Sequence, residues 1–479
     1  MSYQVPQHID SNKIFIVNRS EIEGRLDPLF YTRQFSIIMN KIKECALYKQ
    51  LHEIAHFSSE SWNQKDYYED EFPYIEIGAI NITDGLVEKV TKIPVDKAPS
   101  RAKVLVRTND IIISTTRPYR GAIVKITGKE NLYIASTGFS VIRDVDASVN
   151  RDYLYNVLKL NLSLKQMLQR STGGNYPAIT QEELGKILIP LPPIEIQKDF
   201  VSQLKVAYLE KHKKDIEALY LLESIDTYLL NELGVSLPEY NTNLKDRVFV
   251  INRKSLDNRW DPYYSQKFFR DACVALESCK YPIVILKNIA KLITSGITPK
   301  AGGDAYTEDK EIGVPFVRSG NISIEGELNF DDLLYLKPEI HDTLMRSSQL
   351  QKNDILIAIV GATIGQVGIY PYDGEANINQ AIALVRLKDG YNVQFIKELI
   401  KSSIGQLSLN RLKRPVARAN INLEEISTIK IVLPPKEKQQ VIVDHITSIR
   451  LQAKSLQEEG CKILEQAKKE VEEMILTSK

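Results

Sequence analysis

The sequence predicts an α+β fold: two similar mixed α/β domains separated by two long antiparallel helices that form a coiled coil, in a pseudo-twofold internal repeat. Three observations lead there. The 479-residue chain matches itself at an offset that drifts from 234 to about 244 positions. A Leu-Pro-Pro break followed by helical periodicity occurs twice, over Leu191–Gly234 and Leu433–Leu476. Between these stretches, short β-rich runs are split by Gly and Pro turns.

In chain order, Lys13–Tyr31 matches Arg247–Ser265 without a gap, so Phe15, Arg25, Asp27 and Pro28 meet Phe249, Arg259, Asp261 and Pro262. The stretches Phe30–Lys49 and Tyr263–Ser278 have helical periodicity. Pro73–Gly78 then matches Pro315–Gly320, Asn109–Ser114 matches Asn353–Ala358, Gly121 meets Gly365, and Ser140–Arg143 meets Ala383–Arg386. Strands are expected at Ile111–Ser114, Ala122–Ile126, Ile355–Val360 and Gln366–Tyr370, where β-branched residues cluster. The expected organisation is a first domain over 1–190, a helix over 191–234, a second domain over 235–432 and a helix over 433–479, with Ser236–Asn243 as linker.

Each long helix starts at a proline that can occupy the first helical position, where a missing N–H costs nothing. Steps of four and three place Ile442, Ile446, Ile449, Ala453, Leu456, Gly460, Ile463, Ala467 and Met474 on one seam of the second helix. The first helix is less regular. Phe200, Leu204, Ile216 and Leu219 are its expected packing residues, Lys211 and Lys214 interrupt the stripe, and Gly234 supplies the stop. At ~1.5 Å per residue each helix is roughly 60 Å long, and alone it would leave its apolar stripe in water, so the two are expected to pack on each other.

Composition is ordinary for a globular chain, with 43% apolar and 26% charged residues. Cys45, Cys273, Cys279 and Cys461 form no CxxC pair, which argues against a disulfide framework or zinc ribbon and suits a reducing, cytoplasmic setting. The first ten residues lack the basic and apolar regions of a signal peptide, and no apolar run approaches the ~18 residues of a membrane span.

His52-Glu53-Ile54-Ala55-His56 matches a zinc-protease pattern of two ligands one helical turn apart with a general base between them. In the second copy Lys287 and Lys291 stand where the histidines are, so the shared element is an apolar Leu-x-x-Ile-Ala and no metal or catalytic residue is expected. Asp27-Pro28 and Asp261-Pro262 are expected as turns or helix starts.

A net charge of +1 argues against a generic polyanion binder, but the charge is unevenly spread. Between Arg101 and Lys129 seven basic residues meet only Asp110; between Lys401 and Arg418 five basic residues meet no acid; Glu60–Glu76 holds six acids. Arg and Lys can neutralise phosphates, an Arg fork can read a guanine edge, and Asn can pair with adenine. The candidate DNA-binding residues are therefore Arg117, Tyr119, Arg120, Asn175 and Tyr176 in the first copy, and Lys300, Arg318, Arg411, Lys413, Arg414 and Arg418 in the second.

The Asn353–Ala358 run followed by Gly361-Ala-Thr-Ile-Gly-Gln-Val-Gly, the Gly296-Ile-Thr-Pro299 turn, the Val314–Ile322 segment and the Leu191–Gln197 helix start, in this order and largely twice, resemble one family. It is the specificity subunit of type I restriction-modification enzymes. The resemblance implies non-catalytic recognition of a bipartite, asymmetric double-stranded DNA target. It implies two methyltransferase (M) subunits docked on helices and domains, and a restriction/translocase (R) subunit. S-adenosylmethionine, and ATP with Mg, would be held by those partners and no cofactor by this chain. The first domain departs from the pattern: it lacks the Gly-x-Thr-Pro turn and has Thr-Arg-Pro-Tyr-Arg over Thr116–Arg120 where the second has Gly-Ala-Thr-Ile-Gly. Two other readings stay open, a coiled-coil adaptor that binds proteins without DNA contact and a zinc hydrolase on His52, Glu53 and His56.

Overall fold

The structure, a computed structural model, describes residues 14–17, 19, 22–64, 66–128, 132–240, 248–252, 259–300, 303–414 and 419–478. Of the expected linker, residues 236–240 are irregular and 241–243 lie outside the described residues. Contacts divide the chain into two compact units, Met1–Ile216 with Leu456–Lys479, and Glu217–Ser455. The division runs through both long helices, because each half-helix packs into the domain beside it.

The first unit runs α1 (Arg33–Lys43), β1 (Tyr48–Gln50), α2 (Leu51–Ile54), β2 (Ala55–Phe57), β3 (Glu71–Ile75), β4 (Ile80–Asn81), β5 (Leu86–Val87), β6 (Thr91–Pro94), β7 (Ala102–Arg107), β8 (Ile111–Ser114), β9 (Ile123–Lys125), β10 (Leu132–Ser136), β11 (Phe139–Val145), α3 (Arg151–Leu158), α4 (Asn161–Arg170), α5 (Gln181–Gly185), β12 (Leu188–Pro190) and the start of α6 (Ile194–Leu233). The first periodic stretch is thus helical only to Lys43, and Tyr48–Gln50 pairs with β12 as a strand. One sheet has the order β2-β11-β8-β9 and the other β6-β3-β10-β7, with β10 parallel to β3. The unbroken apolar run of β8 follows from burial on both faces. Ile111 and Ile113 enter the core shared with the helices, whereas Ile112 enters the core facing the second sheet.

The second unit repeats this with α7 (Lys267–Glu277), β13 (Ile283–Ile285), α8 (Leu286–Ile289), β14 (Ala290–Ser295), β15 (Tyr306–Thr307), β16 (Val314–Val317), β17 (Leu334–Leu336), α9 (Pro338–Asp342), β18 (Ile355–Ala358), β19 (Val367–Ile369), β20 (Asn377–Ile378), β21 (Ile382–Leu387), α10 (Val393–Lys401), α11 (Ser403–Leu412), α12 (Leu423–Ser427), β22 (Lys430–Val432) and the start of α13 (Lys436–Thr477). Its sheets are ordered β14-β21-β18-β19 and β15-β17-β16-β20. The inner sheet is the same in both units. In the outer sheet three strands correspond, β6-β3-β10 with β17-β16-β20, while the fourth strand is β7 on one edge in the first unit and β15 on the opposite edge in the second. The scaffold is shared and its margin is not.

The repeated Asn-Asp and Arg motifs acquire a structural reason. Asn109 and Asn353 both take φ 72, a left-handed turn that asparagine tolerates. The following Asp110 and Asp354 are buried and receive the guanidinium of Arg143 at 2.9 Å and of Arg386 at 2.7 Å, tying β8 to β11 and β18 to β21.

In the first unit the N-terminal half of α6 and the C-terminal half of α13 run in opposite directions: Phe200 and Leu204 share a core with Val471 and Ile475, and Lys214 meets Glu459 at 2.7 Å. In the second unit Leu229 and Leu233 share a core with Ile442 and Ile446, and Tyr228 lies 4.1 Å from the ring of His445. Ile449 and Ala453 are buried, and Leu456 and Ala467 are half-buried.

Four expected packing residues are corrected. Ile216, Leu219, Ile463 and Met474 face outward, with Leu219 53% and Ile463 36% exposed, whereas Leu464, Val471 and Ile475 are buried. After Gly460 the seam takes a second step of four, which moves it from Ile463 to Leu464. Lys211, read as an interruption, is itself on the seam of α6: its stem lies against Gly460, where an added Cβ would stand 3.2 Å from Lys211 Cγ, and its ammonium meets Asp84 at 2.9 Å and Asp215 at 2.6 Å. Among the described residues no helix is long and apolar enough to cross a membrane.

Candidate nucleic-acid interface

All five candidates of the first unit come together. The turn between β8 and β9 carries Arg117, Tyr119 and Arg120, and the loop between α4 and α5 carries Asn175 and Tyr176. The backbone bridge Thr116–Ala178 and the Arg117 N–H donating to Pro177 O at 2.7 Å clasp the two loops together, and the bridge Thr172–Ala178 closes the second loop on itself. The Arg117 guanidinium stacks on the Tyr176 ring with its carbon 4.4 Å from the centroid, and Nη2 donates to Asn175 O at 2.7 Å. Tyr176 is 71% exposed, so the result is a cation-bearing platform at the surface.

The second unit arranges its candidates differently. Arg411 donates to Tyr264 O at 3.2 Å and Cys273 Sγ at 3.0 Å and stacks on Tyr264, with 3.9 Å from guanidinium carbon to centroid. Arg414 holds Glu425 through two hydrogen bonds of 3.2 and 2.8 Å. Both were expected to reach DNA; in the structure each finds a protein partner on a neighbouring element, Arg411 on Tyr264 and Cys273 and the still half-exposed Arg414 on Glu425. Burial pushes the Lys413 ammonium down from its ordinary pKa, and Lys401 of the same basic segment, bonded to Glu325 O, is pushed down by burial to about 8. Arg318 donates to Asp332 O at 2.9 Å, Lys300 is exposed, and Arg418 lies outside the described residues.

The counterpart of the Arg117 turn is Gly361–Gly365, whose return partner is residues 419–420: Gly361 N–H donates to Ala419 O at 3.0 Å and Val360 bridges Asn420. Sequence reading missed Asn420. The shared Gly121 and Gly365 marked the turn, but no charge drew attention to it.

In the first basic segment, Arg107 pairs with Glu60 at 2.8 Å and Lys125 with Asp152. The histidine pair is split by the fold: α2 ends at Ile54, His52 Nδ1 lies 2.9 Å from Gly185 O, and His56 sits on β2 opposite Asp144. Asp27 and Asp261 cap tight turns through the N–H groups of Phe30 and Tyr264, and each pairs with an arginine two residues earlier.

Two copies of one mixed α/β scaffold, alike in the inner sheet and unlike in the loops, define a class of duplicated recognition proteins. Residues 47–221 and 281–460 match the family described as type I restriction modification DNA specificity domain, and the chain belongs to that family. It is 24% identical over 323 residues to the Escherichia coli type I restriction enzyme EcoBI specificity subunit, a match covering 65% of this chain and 61%, less than two thirds, of that subunit. It is 23% identical over 418 residues to the Methanocaldococcus jannaschii type I restriction enzyme MjaVIII specificity subunit, covering 86% of each. A chain solved in work on assembly and conformational transition of the type I R-M system is 18% identical, covering 90% of this chain and 98% of that one, with a TM-score of 0.48.

Proposed function

We propose that this chain is the non-catalytic specificity subunit of a type I restriction-modification complex, each unit reading one half of a bipartite, asymmetric double-stranded DNA target. The observation that carries this reading is an inner sheet repeated strand for strand and an outer sheet repeated in three strands, while the β8–β9 turn and its counterpart differ in residue and charge. Two like frames with unlike loops suit two unequal half-sites. Methyltransferase subunits are the expected occupants of the outward apolar residues of α6, Val206 and Leu209 in the first unit and Leu219 and Tyr220 in the second. S-adenosylmethionine, and ATP with Mg, would reside on the partner subunits, in the cytoplasm.

The test is to co-express the chain with its methyltransferase partner and map the methylated positions in host DNA. A bipartite motif with a fixed gap is expected. Absence of any motif would favour a protein-binding adaptor.

The long helices then set the gap. Four residues added to α6 after Ile216 and four to α13 after Ser455, at the boundary between units, add about 6 Å. The gap between half-sites is expected to grow by roughly two base pairs, and an unchanged gap would refute the spacer role.

A further inference from the structure

The β8–β9 turn is built on a backbone that favours glycine. Arg117 takes φ 49 and ψ 50, in the left-handed region, and the residue at the same place in the second unit is Gly361 at φ 77. The two turns share two further features. Both N–H groups donate to the return loop, to Pro177 O and Ala419 O, and both turns close on a left-handed glycine, Gly121 and Gly365. The second unit meets the conformational demand with a residue that carries no strain there. The first meets it with an arginine, which does.

The side chain that this strain supports is held still. Tyr176 lies beneath the guanidinium and Asn175 O takes one Nη2 proton, while no carboxylate pairs with it among the described residues. Other arginines of this unit, Arg107, Arg143 and Arg170, are held by carboxylates. A phosphate contact needs only a cation within reach, which a mobile lysine supplies. A fixed planar fork with donors left over matches the O6 and N7 edge of guanine.

We propose that Arg117, clamped by Tyr176 and the Asn175 carbonyl, is a specificity-determining residue that reads one guanine in the half-site of the first unit. This rests on the DNA-reading function proposed above. The test selects binding sites from a random duplex library with the full chain and its methyltransferase subunits, comparing wild type, Arg117→Gly, Arg117→Lys and Tyr176→Ala, with a thermal melt of each.

Arg117→Gly restores the residue found in the second unit, so it should melt at or above the wild-type temperature and keep the preference of the other half-site. Preference for guanine at one position should fall roughly ten- to hundredfold. Arg117→Lys keeps the charge and should retain the salt dependence of binding while losing that preference; Tyr176→Ala should weaken it. An Arg117→Gly variant that selects the wild-type motif, or that binds all sequences uniformly less well, would overturn the assignment and leave the DNA-reading function intact. A wild-type complex that selects no motif would overturn both.

Discussion

Replacing Arg450 by alanine is expected to destabilise the second unit by about 3 kcal/mol, the low end of the range for breaking a buried ion pair. Arg450 Nη1 and Nη2 hold Glu398 Oε1 and Oε2 at 2.5 and 2.6 Å, and Lys397 Nζ adds a contact at 3.0 Å. Glu398 is only 5% exposed. Its burial pushes the carboxyl pKa up, but the hydrogen bonds of Arg450 and the charges of Lys397 and Arg450 outweigh this and hold it below the ordinary value. Removing Arg450 leaves a buried carboxylate with one partner, and the loss is softened only because Lys397 remains.

The sign of the pH dependence follows. A carboxyl with a depressed folded pKa contributes stability that is fully present above its unfolded pKa, ~4.3, and is lost as pH falls through the lower folded value. The gap between wild type and Arg450→Ala should therefore be widest near neutrality and shrink below about pH 4. Urea unfolding at several pH values measures it. Adding Glu398→Gln and Lys397→Met to Arg450→Ala should give a variant more stable than Arg450→Ala alone, since neither the carboxylate nor the buried Lys397 ammonium is then stranded; equal stability would show that the stranded charge is not what Arg450→Ala costs.

The second large effect concerns the seam of α13. Leu464→Ala is expected to cost about 3 kcal/mol through lost burial and a cavity, while Ile463→Ala should stay within about 0.5 kcal/mol. The two residues are neighbours of similar size, one fully buried and one 36% exposed. Periodicity continued from Ile442 selects Ile463; the structure selects Leu464. Denaturation midpoints of the two variants decide between them, and a larger loss at Ile463 would restore the register read from spacing.

The candidate site was legible to different depths in the two units. Thr-Arg-Pro-Tyr-Arg and the Gly-Gly-Asn-Tyr loop were visible as cations beside turn residues, and the fold joins them through Thr116–Ala178. That Arg117 is strained was not visible, because only its twin position in the folded second unit exposes the demand for glycine. Arg411 and Arg414 had the same composition signal and a different fate. Their partners, Tyr264 and Glu425, lie on other elements, 147 and 11 positions away, and charge counts along the chain carry no information on such pairings.

Duplication, the strand-rich domains, the two proline-started helices and the glycine-marked turns were determined by the sequence by itself, because repeats and periodicity are properties of residue order and local backbone preference. Tertiary structure alone decided which charges face solvent, which half of each long helix belongs to which unit, and where the seam shifts after Gly460. Those outcomes depend on how closely two backbones approach. At Gly460 the absent side chain lets the stem of Lys211 into the seam, and nothing in either helix read alone reveals the other.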